Sequence, residues 1–457
     1  MKNDAQKGRT VLSAITSVYL YVMLSVYMLY PGLGGYREIT AQKWQAFLVL
    51  TGAYAVITVL IRLELALTGV YRLPTPSALW KSLGIPAKLV ILYLLFTAVS
   101  AAVSEYPKTA VWGGGRCEGL VAVALYCLSF LFVSRYARPK RRMMWVFAAA
   151  MALNCILALI QLAGFNPLTL YPEGMNYYDA NRLYAGEFLG TIGNVDILSA
   201  MLSLSVPAFA AFIIKSKNTA ERCLLAAAAA LCLVVLFRAF VAGGILGVFG
   251  ALIISIPLYF KPGRARRRAF IAVIVFFAVI IAGTYAFGES SGGFIYEASR
   301  VMHGDFDDSF GSGRIYIWRS VIPLVAERPI FGGGPDTLGL RLDVAFERYD
   351  ETLGITIRSA IDAAHCEYLN ILVNQGILAL AAYLSALIAC AVRFVRRAHE
   401  NPTALVCGCA ALGYSIQAFF GISSPISTPY FWIALGFLCC AEEAFRNKNE
   451  KKGRERK

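Results

Sequence analysis

The chain has 457 residues, of which 58% are hydrophobic and 16% charged, with a mean hydropathy of +0.61. A soluble globule carries about 25% charged residues, so this composition excludes one and points to an integral membrane protein. Forty-three Lys plus Arg against 28 Asp plus Glu leave a net charge of +15; such a balance would suggest nucleic acid, but the positions of the charges argue otherwise.

A helix needs about 20 largely apolar residues to cross a bilayer. Cut at its charges and turn residues, the chain supplies twelve such runs, near 10–30, 44–61, 88–104, 119–134, 143–164, 190–214, 222–237, 240–260, 269–287, 370–392, 403–421 and 428–441. The first follows Lys2, Lys7 and Arg9 like a signal peptide, yet it is long and shows no small-residue cleavage site before Pro31. It reads as an uncleaved span. Most of the eleven cysteines lie inside these runs, and no CxxC pair or His/Cys cluster at zinc spacing occurs, which leaves redox and structural-metal chemistry without a motif.

With the N-terminus in the cytoplasm, every even-numbered gap is cytoplasmic and the basic residues sort by side. RYARPKRR (135–142), KSKNTAER (215–222), KPGRARRR (261–268), RFVRR (393–397) and the tail from Arg446 fall inside. Thirty Lys/Arg are then inside against 13 outside, and 8 Asp/Glu inside against 20 outside. This is the positive-inside pattern with both termini cytoplasmic. The charge is topological and faces anionic lipid, so no nucleic acid is needed to explain it.

Most gaps are short, whereas 165–189 forms a medium outer loop and 288–369 a long one between the ninth and tenth spans. From 288 to 365 there are 12 Asp/Glu and 7 Arg but no Lys. Loops of this length are usually functional or disordered. Within it, Ile315, Trp318, Ile322 and Val325 recur at helical spacing in GRIYIWRSVIPLVAE (313–327), predicting an amphipathic helix on the outer interface. RPIFGGGPDTLG (328–339) follows as a glycine-proline turn.

Ionisable residues within spans are functional candidates, and here they are scarce, which weakens an ion-coupled transporter. Arg238 is the one charged residue in the 37 residues 224–260, just short of Lys261, and falls at the outer end of a pair of spans. It reads either as an arginine snorkelling to headgroups or as one held to grip phosphate. His365, one of three histidines, sits where the long loop re-enters the membrane; it reads as a helix cap or as a general base of ordinary pKa about 6.5. Arg314 and Arg319 lie on the amphipathic helix, facing headgroups or joining Arg238 and His365 in a set suited to a diphosphate leaving group.

Other matches fail. HGDFDDSFG (303–311) begins like a calcium loop but lacks its glycine and its final glutamate, and Asp305-Phe-Asp307 is an isolated DxD. The triplets Gly113 to Gly115 and Gly332 to Gly334 lack the GK[ST] of a phosphate loop and read as turns.

Four stretches, GTIGNVDILSAML (190–202), LFRAFVAGGILG (236–247), SGRIYIWRSVIPLVAERPIFGGGPDTL (312–338) and AHCEYLNILVNQGILALAAYL (364–384), resemble the O-antigen ligase and O-antigen polymerase superfamily of bacterial envelope glycosyltransferases. The resemblance covers about 190–390. It implies an all-α polytopic protein of about 12 transmembrane helices, with a long extracytoplasmic loop between helices 9 and 10, acting on the outer face of the bacterial cytoplasmic membrane. It further implies an undecaprenyl-diphosphate-linked glycan donor, a glycan, lipid or protein acceptor, and neither metal nor nucleotide cofactor. Residue by residue, the family's span-end arginine matches Arg238, its loop arginine Arg314 and its loop histidine His365, with Arg319 added as a further diphosphate contact. This chain departs from the family in Phe237-Arg238-Ala239 for Ser-Arg-Gly, in Cys366 after the histidine and in GNVD (193–196) for Gly-Asn-Pro-Asn.

The expected organisation is therefore an N-terminal membrane part (1–189), a ligase-like core (190–395) that includes the 288–369 loop, a C-terminal pair of spans (396–445) and a basic tail (446–457). The expected function is a metal-independent glycosyltransferase, ligase or polymerase, with a lipid-linked glycan flippase or other transporter as the alternative.

Overall fold

A computed structural model describes residues 2–69, 74–171, 177–179, 182–184, 189–350 and 355–440; the basic tail and residues 441–445 lie outside the described residues. The helices, in chain order, are α1 (Lys2–Val22, running on through a π-turn, Met23–Tyr27), α2 (Ile39–Leu67), α3 (Pro76–Ser82), α4 (Ile85–Ala102), α5 (Pro107–Trp112), α6 (Leu120–Tyr136) and α7 (Arg141–Leu162). A small hairpin, β1 (Tyr177–Asp179) and β2 (Arg182–Tyr184), precedes α8 (Val195–Lys215), α9 (Thr219–Ala239), α10 (Ala242–Ser255) and α11 (Arg264–Phe287). The long loop then forms α12 (Gly293–Met302), α13 (Phe310–Glu327), α14 (Leu338–Arg341) and the hairpin β3 (Ala345–Asp350) and β4 (Ile355–Ala360). It returns into α15 (Glu367–Arg397), α16 (Pro402–Gln417) and α17 (Thr428–Cys440).

Among the described residues nine helices are long and apolar enough to cross a membrane: α1, α2, α4, α7, α8, α9, α10 with the turn after it, α11 and α15. The remaining apolar runs are the shorter helices α6, α16 and α17. The expected twelve thus resolve into nine full-length helices and three short ones, and the two hairpins qualify an all-α description.

The basic gaps gather at one end of the bundle. Arg141 pairs with Glu221, the Lys215 ammonium donates to the His399 carbonyl at 3.2 Å, and Arg266 Nη2 donates to the Val395 carbonyl at 2.5 Å. The long loop packs on the other end.

Helix α8 is the centre, buried along most of its length, whereas α11 stands outside with no residue of its apolar window buried. Small residues explain the close packing of α8 on α10 and α16: a Cβ on Gly413 would meet the Ser203 carbonyl, and one on Gly247 would meet the Ser203 hydroxyl. Close backbone approach through small residues substitutes for the hydrophobic drive that lipid removes. Polar side chains from α7 then fix the turn leading into α8. Gln161 donates to the Tyr36 hydroxyl at 2.6 Å and accepts from the Gly190 amide, while Asn154 accepts from the Thr191 amide and hydroxyl.

One buried cation was not expected. Helix α2 starts at Ile39, before the predicted apolar run, and encloses Lys43, whose ammonium donates to the Met28 carbonyl at 2.9 Å at the end of the π-turn.

Candidate functional site

The long loop is held in place by a break in α15. At Gly376 (φ 82°) the helix is interrupted, and the turn 328–334 fills the gap. The amides of Gly333 and Gly334 donate to the carbonyls of Val373 and Asn374 (3.2 and 2.7 Å), and Ile377 N donates to the Pro329 carbonyl. The Ser100 hydroxyl on α4 and the Ser104 hydroxyl just beyond it donate to the Asn374 and Gly333 carbonyls, and Arg341 adds bonds to Val373 and Asn374. Backbone groups freed inside a bilayer must find partners, and here the glycine turn supplies them.

Helix α13 opens with three left-handed residues, Gly311, Ser312 and Gly313 (φ 64°, 59° and 83°). Two of the three are glycines, for which this conformation is cheap. The regular helix therefore begins at Arg314. Ile317 and Val321 are buried against Leu338, Ile361, Ala364 and Val373, with Trp318 and Val325 of the predicted stripe packed beside them, while Ile322 points out at 57% exposure. The helix docks on the loop's own core and on α15 through Ile317 and Val321. Trp318 Nε1 donates to the Ala364 carbonyl at 2.9 Å, which ties α13 to the residue before His365.

His365 itself is left-handed (φ 46°), a conformation that non-glycine residues visit mainly at special sites. It is gripped on both sides, by Asn370 accepting from the Ala364 amide at 3.2 Å and by the Glu367 amide donating to the Ala418 carbonyl at 2.8 Å.

Asp196, on the first turn of α8, stands between two of the predicted residues. Its carboxylate lies 3.8 Å from Arg314 Nη2 and 3.9 Å from His365 Nδ1. Arg314 also donates to the carbonyls of Gly311 (2.7 Å) and Phe420 (2.8 Å), while its buried Nε makes no hydrogen bond among the described residues. A guanidinium has five N–H donors, so this one, only 15% exposed, keeps donors in reserve.

Arg238 lies exposed on the last turn of α9, without an ion pair among the described residues. The corner that follows it brings Gly243 against Phe420, whose carbonyl holds Arg314. Arg238 and Arg314 thus share one end of the bundle. Arg319 is turned elsewhere: it pairs with Asp308 at 2.8 Å, donates to the Phe306 carbonyl at 2.9 Å and is 60% exposed. The structure brings Arg314 and His365 together around Asp196 and does not bring Arg319 to them.

Two further residues complete the electrostatics. Arg116, on the glycine turn before α6, makes a bidentate contact with Asp362 at 2.8 and 2.9 Å. Asp336 accepts from the amides of Gly114 and Glu118 at 2.6 and 3.1 Å. Burial first, and then the charges of Arg116 and Arg314, push His365 down to about 4 against the opposing carboxylates of Asp196 and Asp362. Burial raises Asp336 to about 6 and Glu118 to about 8. His365 is therefore a neutral imidazole at neutral pH. Neither Asp196 nor Arg116 was among the sequence candidates. The signals available were the aspartate of GNVD, which departs from the family pattern, and the arginine that follows the glycine triplet.

Among the described residues no three His, Cys, Asp or Glu side chains group as a metal site. The acids of 303–311 are engaged locally, Asp305 with Arg300, Asp307 with Ser309 and Asp308 with Arg319.

Residues 227–384 match the family model for O-antigen ligase. Three of the four sequence stretches fall in that segment, about a third of the chain, and their resemblance is borne out there, while 190–202 lies before it; with nine helices long and apolar enough to cross a membrane among the described residues, this supports an O-antigen ligase-like membrane enzyme. No curated protein matches the chain. The O-antigen ligase segment contains Arg238, Arg314, Arg319, His365 and the break in α15, whereas Arg116 and Asp196 lie outside it and reach the site through the fold.

Proposed function

We propose that this enzyme transfers a glycan from an undecaprenyl-diphosphate-linked donor to an acceptor hydroxyl on the outer face of the bacterial cytoplasmic membrane, without metal or nucleotide. The observation that carries the reading is the meeting of Arg314 and His365 around Asp196, within and beside an O-antigen ligase segment, at the end of the bundle away from the basic gaps. By the positive-inside rule that end faces outward.

The chemistry follows from the charges. Neutral His365 takes the proton of the acceptor hydroxyl as its oxygen attacks the anomeric carbon, and the bond from that carbon to the diphosphate oxygen breaks with inversion. The proton ends on the imidazole, where Asp196 stabilises the imidazolium. The departing diphosphate is neutralised by the free N–H groups of Arg314 and by Arg238, which lies on the exposed corner it would pass. Arg319 would join only after leaving Asp308. Preorganised donors aimed at developing charge act strongly in a site with little water.

The test uses purified protein and short undecaprenyl-diphosphate oligosaccharides, with and without chelator, reading product length and release of the lipid diphosphate. Lengthened lipid-linked chains without another acceptor identify a polymerase, and transfer only to an added lipid core or protein identifies a ligase. Absence of release with every acceptor, or loss of release on chelation, overturns the proposal.

A further inference from the structure

A cavity of about 300 Å3 opens at the opposite end of the molecule from His365. Its walls are the first turns of α7 and α16, the last turns of α8, and α17, and they are apolar: Phe147, Leu204, Ala208, Val406 and Phe437 face it. Leu24 and Tyr430 close its deep end near the middle of the bundle, where the Tyr430 hydroxyl is already bonded to the Met23 carbonyl. The mouth is different in kind. Lys140, Arg141 and Lys215 line it. Glu221 accepts from both Arg141 and Trp145, so one of the three cations is paired. Lys215 uses one of its three N–H donors on the His399 carbonyl, and Lys140 is exposed with no ion pair among the described residues. Two positive charges are left over at the entrance of an apolar slot.

An apolar space of this size holds water poorly, and left empty it forfeits packing contacts along its walls. A slot that is apolar in depth and cationic at the rim complements an amphiphile with an anionic head, and basic pockets between membrane helices on the cytoplasmic side take anionic lipid headgroups. The volume is at the lower end of the roughly 300–1,000 Å3 typical of ligand sites, room for one chain and not two. We propose that this slot binds one anionic phospholipid of the cytoplasmic leaflet, one acyl chain seated between α7, α8 and α16 and the phosphate held by Lys140 and Lys215. The site is independent of the transfer reaction proposed above, although α8 runs from this slot to Asp196.

The experiment is photo-crosslinking of the full-length protein in nanodiscs with a phosphatidylglycerol carrying a diazirine on one acyl chain, compared with the matching phosphatidylcholine. The expected labels are on α7 and α16 peptides containing Met143, Phe147 or Val406, with phosphatidylglycerol preferred. Helix α11, which faces lipid throughout, should label equally with both and serves as the internal reference. Each basic side chain near an anionic head is worth about fivefold in binding, so Lys140→Gln with Lys215→Gln should lower slot labelling by an order of magnitude or more relative to α11. Both lysines lie at the surface end of the bundle, and the unfolding temperature of the variant in the disc, compared with wild type, shows whether it is still folded. Equal slot labelling by the two lipids, or labels confined to α11, overturns the proposal. Displacement of the label by a polyprenyl monophosphate but not by unlabelled phosphatidylglycerol overturns it in favour of a prenyl carrier.

Discussion

The carboxylate of Asp196 lies 3.9 Å from the His365 imidazole and 3.8 Å from the Arg314 guanidinium, so a single acid on α8 faces both the candidate base and the candidate diphosphate ligand. Its negative charge favours the imidazolium that forms as His365 takes a proton. Asp196→Ala should therefore slow transfer roughly 100-fold, at the lower end of general-base contributions, with less effect on donor binding. Asp196→Asn keeps the shape and the family's own residue and should recover part of the folding yield but not the rate. Equal rates for wild type and both variants in the undecaprenyl-diphosphate assay would remove Asp196 from the mechanism.

The pH dependence has a definite sign. His365 is held near 4, below the ordinary 6.5, so it is neutral at pH 7 and becomes charged only as pH falls through about 4. Transfer should stay level from neutral pH down to about 5 and then decline. Arg116 is one of the charges that disfavours the imidazolium. Arg116→Gln removes it and leaves Asp362 without its bidentate partner, and both changes raise the His365 pKa, so the acid limb should move to higher pH. An acid limb near 6.5 in the wild type, or a shift to lower pH in the variant, would contradict this assignment.

Arg314 and Arg319 make a paired test of geometry, since they are five positions apart on one helix. Arg314→Ala should cost on the order of 2 to 4 kcal/mol of barrier. Arg319→Ala loses only an exposed pair with Asp308 and should stay within about 1 kcal/mol of wild type. Comparable losses in kcat/KM for the two variants would mean that Arg319 leaves Asp308 to join the site.

Gly376 carries the seat of the long loop. A methyl group there would run into the Ile330 carbonyl oxygen, at a backbone φ of 82° that costs other residues about 1–3 kcal/mol before any clash. Gly376→Ala should lower the unfolding temperature in detergent by several degrees and reduce transfer, because the 328–334 turn must leave the break. A variant with unchanged stability and activity would show that the turn can refit around α15.

Sequence alone determined a good deal of this molecule. Apolar runs and the sorting of basic gaps are local, additive signals, and each of the twelve runs coincides with a helix. Arg238 and His365 stood out as candidates because an isolated charge or histidine next to a span is conspicuous, and Arg314 because it lies at the start of the amphipathic segment 313–327. Other features could be decided only in three dimensions. The buried face of α13 is set by what it packs on, Leu338, Ile361 and Val373, which the fold brings together, whereas periodicity alone put Ile322 on a face turned to the outer interface. Lys43 is buried because α2 starts earlier than its apolar run. Arg319 turns to Asp308, a neighbour set by the course of the loop. Asp196 and Arg116 meet His365 across 169 and 249 positions of chain, because α8 packs at the centre of the bundle and the glycine turn before α6 folds over the loop. Hydrophobic pattern places a helix in the bilayer through each residue's own transfer free energy, whereas an electrostatic site depends on distances between residues remote in sequence, which only packing sets.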